Sequence, residues 1–347
     1  HGVAQGGGSS SAGPGAAATP FAAEIQRLSE PAGTFDTDNL ISNESGYLGA
    51  IPALMSSGAA GGAYVGVGPD QNFSYIARVR PEVAFIVDIR RDNLLLHLLF
   101  KALFAHAHSR VEYLALLTGR APPPDAERWT SADLKDIVGY IDGARPSPGA
   151  GAILSKVRDT IGGFGVPLSR ADDATLYRFH REFIGGGLSL QFHSLNRPPQ
   201  PFYPTLRQLI LATDARGRMW NFLASEDDFQ FLRALEGRDG VIPVVGDVAG
   251  PHAMRAIATA IAARNLEVSA FYISNVENYI FRDGLFPPYA ANVTRLPRTP
   301  RTVVIRSIFS NGGQSVSVVQ SLDEMAADIG RGRYRTYGDL ISRFPHF

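Results

Sequence analysis

The chain of 347 residues contains no cysteine, which excludes disulfides, thiolate nucleophiles and cysteine-ligated zinc. Its formal net charge is zero, and no basic stripe predicts a nucleic-acid partner. It lacks a run of 18 apolar residues, so we predict no membrane span. Gly-x-Ser-x-Gly, His-Glu-x-x-His and Walker motifs are also missing. His106 and His108 would diverge on a helix, so we predict no metal site.

Residues 1–20 consist mostly of glycine, alanine, serine and proline, a composition that cannot bury a core. We interpret them as a flexible leader before a single domain over residues 21–347. The first residue is His1, which leaves two explanations: a signal peptide has been removed, or the chain is a fragment. The first explanation favours an exported location, periplasmic or secreted, over a cytoplasmic one.

Short apolar runs alternate with segments of helical spacing along the chain. "AYVGV", "EVAFIVDI", "VIPVV", "VSAFYIS", "TVVIRSIF" and "QSVSVVQSL" are typical of strands, and the segments between them are typical of helices. This alternation predicts an α/β fold with a Rossmann-like sheet and helices on both faces. We expect a mainly helical insertion at about residues 94–204, and a hairpin around Ala215-Arg216-Gly217.

Polar residues and glycines follow the predicted strands at the points where ligands bind in such sheets. Gly66 and Gly68 would allow close approach of the backbone to a ligand, and the next helix would direct free N–H groups at it. An acidic residue about 20 residues later, here Asp88, is placed to hold a ribose. We expect one cleft to be lined by these residues: Gly66, Gly68, Asp88, Asp247, Ser274 and Asn275.

Simpler roles remain open for the same residues. Asp88 could cap the helix that follows it, and Asp247 could serve only as a turn former. Asn275 could satisfy loop backbone, and His193 could be an ordinary polar loop residue. We expect His97, in the apolar run "LLLHLLF", to be a hydrogen-bonded core histidine.

The segments "YVGVGPDQN", "FIVDIRR", "VIPVVGDVAG" and "FYISNVENY", in this order, resemble class I S-adenosylmethionine-dependent methyltransferases. In that family the first loop holds the amino acid part of the cofactor, and the acid after the second strand holds the ribose. An acid after the third strand often meets the adenine, and the segment after the fourth strand faces the methyl group. The resemblance implies S-adenosylmethionine as cofactor, with these binding residues: Gly66, Gly68, Asn72, Asp88, Asp247, Ser274 and Asn275.

The resemblance covers about residues 60–93 and 205–310, and the first loop departs from the family pattern. Tyr64 stands where the family usually has an acid, and Asp70 replaces the third glycine. The nicotinamide-binding Rossmann domain is the near alternative, but its third glycine would fall on Gln71. The chain also resembles an uncharacterised bacterial family with a methyltransferase-like fold.

The resemblance implies a methyltransferase that acts on a small-molecule or lipid-like acceptor. Methyl transfer needs a nucleophile held in line with the sulfonium carbon, and a base where that nucleophile carries a proton. The predicted catalytic residues are His193, Glu277 and Tyr272. His193, Glu277 and Glu44 are the candidate bases, and Tyr272 and Tyr279 could line the acceptor pocket. The alternative function is that of a non-catalytic exported binding protein that kept the fold and lost the cofactor.

Overall fold

The computed structural model of the protein describes residues 18–37, 39–195, 198, 200–310 and 313–344. Of the predicted leader over residues 1–20, residues 1–17 lie outside the described residues, and Pro20 is the first residue of a helix. Within the described part of the chain, none of the helices has the length and apolar composition needed to cross a bilayer.

A six-stranded sheet forms the centre of the fold. Its strands are β1 (Ala63–Gly66), β2 (Val83–Asp88), β3 (Val241–Val245), β4 (Val268–Ser274), β5 (Arg298–Phe309) and β6 (Ser315–Ser321). Their spatial order is β3-β2-β1-β4-β5-β6, and every neighbouring pair is parallel except β5 and β6. The order reverses between β1 and β4, which is the topological switch point of a Rossmann-like sheet. The predicted α/β fold class is confirmed.

Fifteen α-helices and four short 3₁₀ helices surround the sheet in the described residues. The α-helices are α1 (Pro20–Leu28), α2 (Ile51–Ser56), α3 (Gln71–Val79), α4 (Arg91–His106), α5 (Arg110–Leu117), α6 (Leu134–Gly143), α7 (Ala150–Gly163), α8 (Arg170–Gly186), α9 (Leu206–Ile210), α10 (Glu226–Gly237), α11 (Ala253–Ala262), α12 (Val276–Arg282), α13 (Phe286–Thr294), α14 (Leu322–Gly330) and α15 (Tyr337–Ile341). The 3₁₀ helices span Tyr47–Ala50, Ala126–Ser131, Gly187–Ser189 and Phe222–Ala224.

Helices cover both faces of the sheet because its strands are apolar on both sides. Strand β2, for example, buries five consecutive residues from Val83 to Val87. Helix α3 packs against β1 and β4, α4 packs against β2 and β3, and α10 packs against α3 and α4. Helices α1, α11, α13 and α14 form another connected group, in which α1 contacts β3 and α14 contacts β5.

The connection between β2 and β3 is mainly helical, and it contains the predicted insertion at about residues 94–204. The predicted hairpin around Gly217 is wrong for its first strand, because Leu206–Ile210 is the helix α9. Thr205 caps this helix in a reciprocal pair of hydrogen bonds with Gln208. In the described residues, the predicted hairpin is reduced to one antiparallel bridge, between Thr213 and Met219.

Two adjacent polar residues on β5, Arg306 and Ser307, are buried on opposite faces of the sheet, as the two-residue period of a strand requires. Arg306 Nε lies 2.6 Å from Glu277 Oε2, and both side chains are 1% exposed. The Tyr289 hydroxyl donates to Glu277 Oε1 at 2.8 Å, and Arg306 donates to Gln320 Oε1 at 2.7 Å. These bonds satisfy a buried ion pair that links β5, β6, α12 and α13.

We expect Arg306→Ala to lower the free energy of unfolding by about 3–5 kcal/mol, because Glu277 would lose its charge partner inside the protein. The matched control is Arg298→Ala on the same strand, where the pair with Asp323 is partly exposed and should contribute about 0–1 kcal/mol. Urea unfolding of both variants measures the difference. Equal losses would contradict a structural role for the buried pair.

Candidate functional site

A cleft with a cavity volume of about 350 Å³ opens at the carboxyl ends of β1, β2, β3 and β4. This size is within the range of small-molecule sites, and the position matches the binding crevice of α/β sheets. Loop residues 34–37, 39 and 42–44 and the segment at the start of α12 complete its wall. Five of the seven predicted cofactor positions line the cleft: Gly68, Asp88, Asp247, Ser274 and Asn275. Asp38, also in that loop, lies outside the described residues.

The turn after β1 is shaped by the side chain of Asn72, which is completely buried. Its Nδ2 donates to the carbonyl oxygens of Val67 at 2.9 Å, Gly68 at 3.3 Å and Pro69 at 2.8 Å. Its Oδ1 accepts from the Tyr64 hydroxyl at 2.9 Å. Asn72 therefore lies behind the cleft wall, where it positions the turn instead of presenting a group to a ligand.

Glycine is favoured at positions 66 and 68 of this turn for two different structural reasons. A Cβ atom on Gly66 would lie 2.0 Å from Asn72 Oδ1 and 2.7 Å from the Tyr64 ring, so the protein's own side chains fill the space above Gly66. Gly68 has a φ of +83°, which favours glycine, and it lines the cleft. The sequence suggested that a ligand approaches the backbone at Gly66. In the structure, the side chains of Asn72 and Tyr64 make that close approach instead.

We expect Gly66→Ala to destabilise the ligand-free protein by about 1–3 kcal/mol, because the added methyl group overpacks the contact with Asn72. The cost should be smaller in an Asn72→Ala background, as measured by a double-mutant cycle of urea unfolding. Gly139→Ala on α6 is the control, since its Cβ would have no neighbour within 4 Å. Unchanged stability in Gly66→Ala would leave ligand approach as the reason for the glycine.

His97 on α4 supports the turn from below. Its Nε2 donates to the carbonyl oxygen of Gly68 at 3.0 Å, and its ring packs edge-on against Phe73 and Phe100. Burial lowers the pKa of His97 to about 4, so the ring is neutral at physiological pH. Its place in the core, with a hydrogen bond, confirms the prediction made from "LLLHLLF".

We expect His97 to make the protein less stable as the pH falls from 6.5 towards 4. The folded state resists protonation of this ring, whereas the unfolded chain accepts a proton near pH 6.5. Between pH 7.5 and 4.5, wild type should lose about 2–3 kcal/mol relative to His97→Gln. Urea midpoints of both proteins at the two pH values measure this, and other buried groups cancel in the comparison. Parallel pH profiles would contradict the lowered pKa.

Asp88 lines the cleft as half of a buried ion pair with Arg90. Asp88 Oδ1 accepts from the backbone N–H of Arg90 at 2.9 Å and from its Nε at 3.0 Å, and Oδ2 lies 2.8 Å from its terminal nitrogen. Arg90 also donates to the carbonyl of Thr37 at 2.8 Å. A carboxylate has about four acceptor positions, and these contacts use three. The ion pair fixes Asp88 in the wall and leaves its carboxylate able to accept one more hydrogen bond.

The loop after β3 is organised by Glu30. Its Oε1 accepts from the N–H of Asp247 at 2.8 Å, and its Oε2 accepts from those of His252 at 3.1 Å and Ala253 at 3.2 Å. Glu30 therefore satisfies the first free N–H groups of α11. Asp247 lines the cleft while its own Oδ1 accepts from Ala249 N–H at 2.8 Å, so both predicted roles, turn former and wall residue, apply.

Glu44 is a completely buried carboxylate in the cleft wall. It accepts hydrogen bonds from three hydroxyl groups: Tyr272 on β4 at 2.5 Å, Ser274 at the end of β4, and Ser307 on β5. Burial raises its pKa, although the three hydroxyls act in the opposite direction. Ser274 holds a φ of +57°, a conformation that non-glycine residues adopt rarely and that clusters at functional sites.

Gln71 is a wall residue that its sequence pattern did not predict as part of the site. Its Nε2 donates to the Tyr272 hydroxyl at 3.1 Å. Its Oε1 is buried and has no hydrogen-bond partner among the described residues. Ser307 was missed as well, although two polar residues inside the apolar run "TVVIRSIF" were a signal that could have found it.

The three residues predicted as catalytic lie outside the cleft wall. Tyr272 is buried beneath it: its hydroxyl contacts Glu44 and Gln71, and its carbonyl oxygen accepts from the N–H of Val67 at 3.1 Å. Glu277 is held by Arg306 and Tyr289 in the buried ion pair. His193 lies between two wall residues, and its backbone carbonyl accepts from the Thr37 hydroxyl at 3.0 Å. The structure thus separates these residues from the five wall positions, and places the candidate base Glu44 in the wall.

The mouth of the cleft is apolar, whereas its lining as a whole is acidic. Phe35 and Tyr279 pack edge-to-face at 5.1 Å, and Phe35 and Leu285 are each 39% exposed. The lining carries five acidic residues, Asp36, Glu44, Asp88, Asp247 and Asp283, and two basic ones, Arg90 and Arg282. Arg90 pairs with Asp88 and Arg282 pairs with Asp283, so the lining has a formal charge of −3 (2 − 5).

A family model described as "Domain of unknown function (DUF7790)" matches residues 40–128 and 190–330, which together make up more than half of the chain. The chain belongs to this family. The matched residues include all six strands and the wall positions on, or directly after, β1, β2, β3 and β4. The segment between the two matches contains α6, α7 and α8, within the helical connection. No curated protein gave a match.

Proposed function

We propose that the cleft binds S-adenosylmethionine and that the protein transfers its methyl group to a small-molecule or lipid-like acceptor. The observation that carries this proposal is the joint presence of Gly68, Asp88, Asp247 and Ser274 in one cleft at the topological switch point. The acidic lining agrees with it, because the sulfonium of this cofactor is positively charged.

The wall residues offer partners for separate parts of such a cofactor. Asp88 retains an acceptor position that a ribose hydroxyl could use, and Gly68 brings backbone close to the cleft. Asn275 lines the cleft and has an amide side chain beside Ser274. When bound, the cofactor would supply an electrophilic methyl group, and the chain would supply position, exclusion of water and a proton acceptor.

Glu44 is the proton acceptor that this proposal favours. It lies in the wall, whereas Glu277 and His193 do not, and burial raises its pKa from that of an ordinary glutamate. A carboxylate with a raised pKa accepts a proton more readily at neutral pH. Tyr272, Ser274 and Ser307 would orient it through their hydroxyl groups.

A second candidate function is a binding protein that has the fold without the cofactor chemistry. The filled space at Gly66 favours it, because Tyr64 and Asn72 occupy the region where a ligand could otherwise approach the backbone. The Asp88–Arg90 pair favours it as well, since it uses most of the carboxylate. On this alternative the cleft would take a different small molecule.

Calorimetric titration with S-adenosylmethionine and its demethylated product tests the proposal, and Asp88→Asn is the decisive variant. We expect its affinity to fall by about 10–100-fold, because a hydrogen bond to a charged acceptor is lost. Asp172→Asn is the matched control: Asp172 forms the same kind of fork with Arg91, is equally buried, and lies outside the cleft. The control should keep wild-type affinity within about twofold.

Failure of the folded wild-type protein to bind either compound would exclude the methyltransferase proposal and leave the binding-protein function. Equal losses in the two variants would mean that Asp88 acts through stability and not through contact with the ribose.

A further inference from the structure

We propose that the part of the cleft around Glu44 and Gln71 is a binding site for the ammonium group of a small amphiphilic amine. As the acceptor class of the methyl transfer, this inference rests on the proposed function. To accept a methyl group, the bound ammonium would first give a proton to the Glu44 carboxylate. The neutral nitrogen would then form the N–C bond as the C–S bond breaks, and the bonding pair would stay on the sulfur of the demethylated product. Binding of the amine itself does not require the cofactor, so the two proposals can fail separately.

Glu44 differs from the other deeply buried carboxylates in having no cationic partner. Within the described residues, three carboxylate side chains are exposed by 2% or less: Glu44, Glu236 and Glu277. Glu236 lies 3.7 Å from Lys101 Nζ, and Glu277 pairs with Arg306. Glu44 has only the hydroxyl groups of Tyr272, Ser274 and Ser307. A buried charge normally requires a partner of opposite sign, and Glu44 lines the cleft, where a ligand could supply that partner.

Gln71 adds an independent observation at the same place. Its side chain is 95% buried, lines the cleft, and leaves Oε1 without a hydrogen-bond partner among the described residues. Gln71 and Glu44 both contact the Tyr272 hydroxyl, which links the two acceptors. An unpaired buried acceptor is costly, and an ammonium group has three donors that could serve both side chains.

The rest of the cleft defines the body of the ligand. The lining has a formal charge of −3, which favours a cation over an anion. Phe35, Tyr279 and Leu285 at the mouth offer aromatic and aliphatic surface to the remainder of the molecule. An amine with an aryl or alkyl body therefore fits both regions of the cleft.

The raised pKa of Glu44 couples this binding to a proton. The charge of Glu44 in turn acts on four phenols, those of Tyr64 on β1, Tyr75 on α3, Tyr272 on β4 and Tyr337 on α15. Burial raises the pKa of each of these phenols, so all remain neutral near pH 7. An ammonium group favours the ionised carboxylate, so binding should lower the pKa of Glu44 and strengthen as the pH rises through that pKa.

Three probes of equal shape and different charge test the inference: 4-phenylbutylamine, 4-phenylbutanol and 4-phenylbutyrate. Titration calorimetry with wild-type protein should give the amine an affinity about tenfold higher than the alcohol, and the carboxylate the lowest affinity. Repeating the amine titration at a series of pH values should show an affinity that rises as Glu44 ionises. This comparison needs no variant, so a folding defect cannot obscure it.

Glu44→Gln should abolish the preference for the amine over the alcohol, because the side chain keeps its shape and loses its charge. The matched control is Glu236→Gln, a buried glutamate whose pKa is also raised, to about 8, outside the cleft. It should keep the preference. Alcohol binding as tight as the amine, absence of amine binding, or an unchanged preference in Glu44→Gln would overturn the inference. Amine binding without S-adenosylmethionine binding would remove only the methyltransferase proposal.

Discussion

The hydrogen bonds of the Asn72 side chain are the constraint on which the cleft depends. One amide holds three successive carbonyl groups of the turn after β1 and also accepts from Tyr64 within the strand. Because these groups are buried, each would be expensive to leave unpaired. The bonds place Gly68 in the cleft wall, and they require glycine at position 66. Tyr64, which stands where the methyltransferase pattern has an acid, thus helps to hold the turn through its hydrogen bond to Asn72.

The second organising feature is the two-residue period of β5. Arg306 on one face compensates Glu277, and Ser307 on the other face donates to Glu44. Two buried carboxylates therefore have different partners: a guanidinium pairs with Glu277, whereas three hydroxyl groups donate to Glu44. Of these two candidate bases, Glu44 is the one that lines the cleft.

The sequence predicted the fold class and the six strands, because both follow from local apolar patterning. A general rule of α/β sheets also grouped the strand ends, and five of the six grouped residues, all but Gly66, line the cleft. The sequence did not predict the roles of the side chains. Contacts such as Tyr64 with Asn72, or Glu44 with Ser307, join residues whose distance in space is set by the whole fold. The hairpin at Gly217 failed for a local reason: the capping pair of Thr205 and Gln208 outweighed an apparent alternation.

The two ends of the cleft wall differ in whether their carboxylate has a cationic partner, and this difference affects how a ligand would be oriented. At Asp88 the charge is already matched by Arg90, so that end suits neutral polar groups such as hydroxyls. At Glu44 the carboxylate has hydroxyl donors alone, so that end gains most from a cation. A ligand with both kinds of group would therefore be held in one direction, with its positive part against β4 and β5. The net charge of the cleft would not impose this direction by itself. The direction depends on which carboxylate has no cationic partner within the protein.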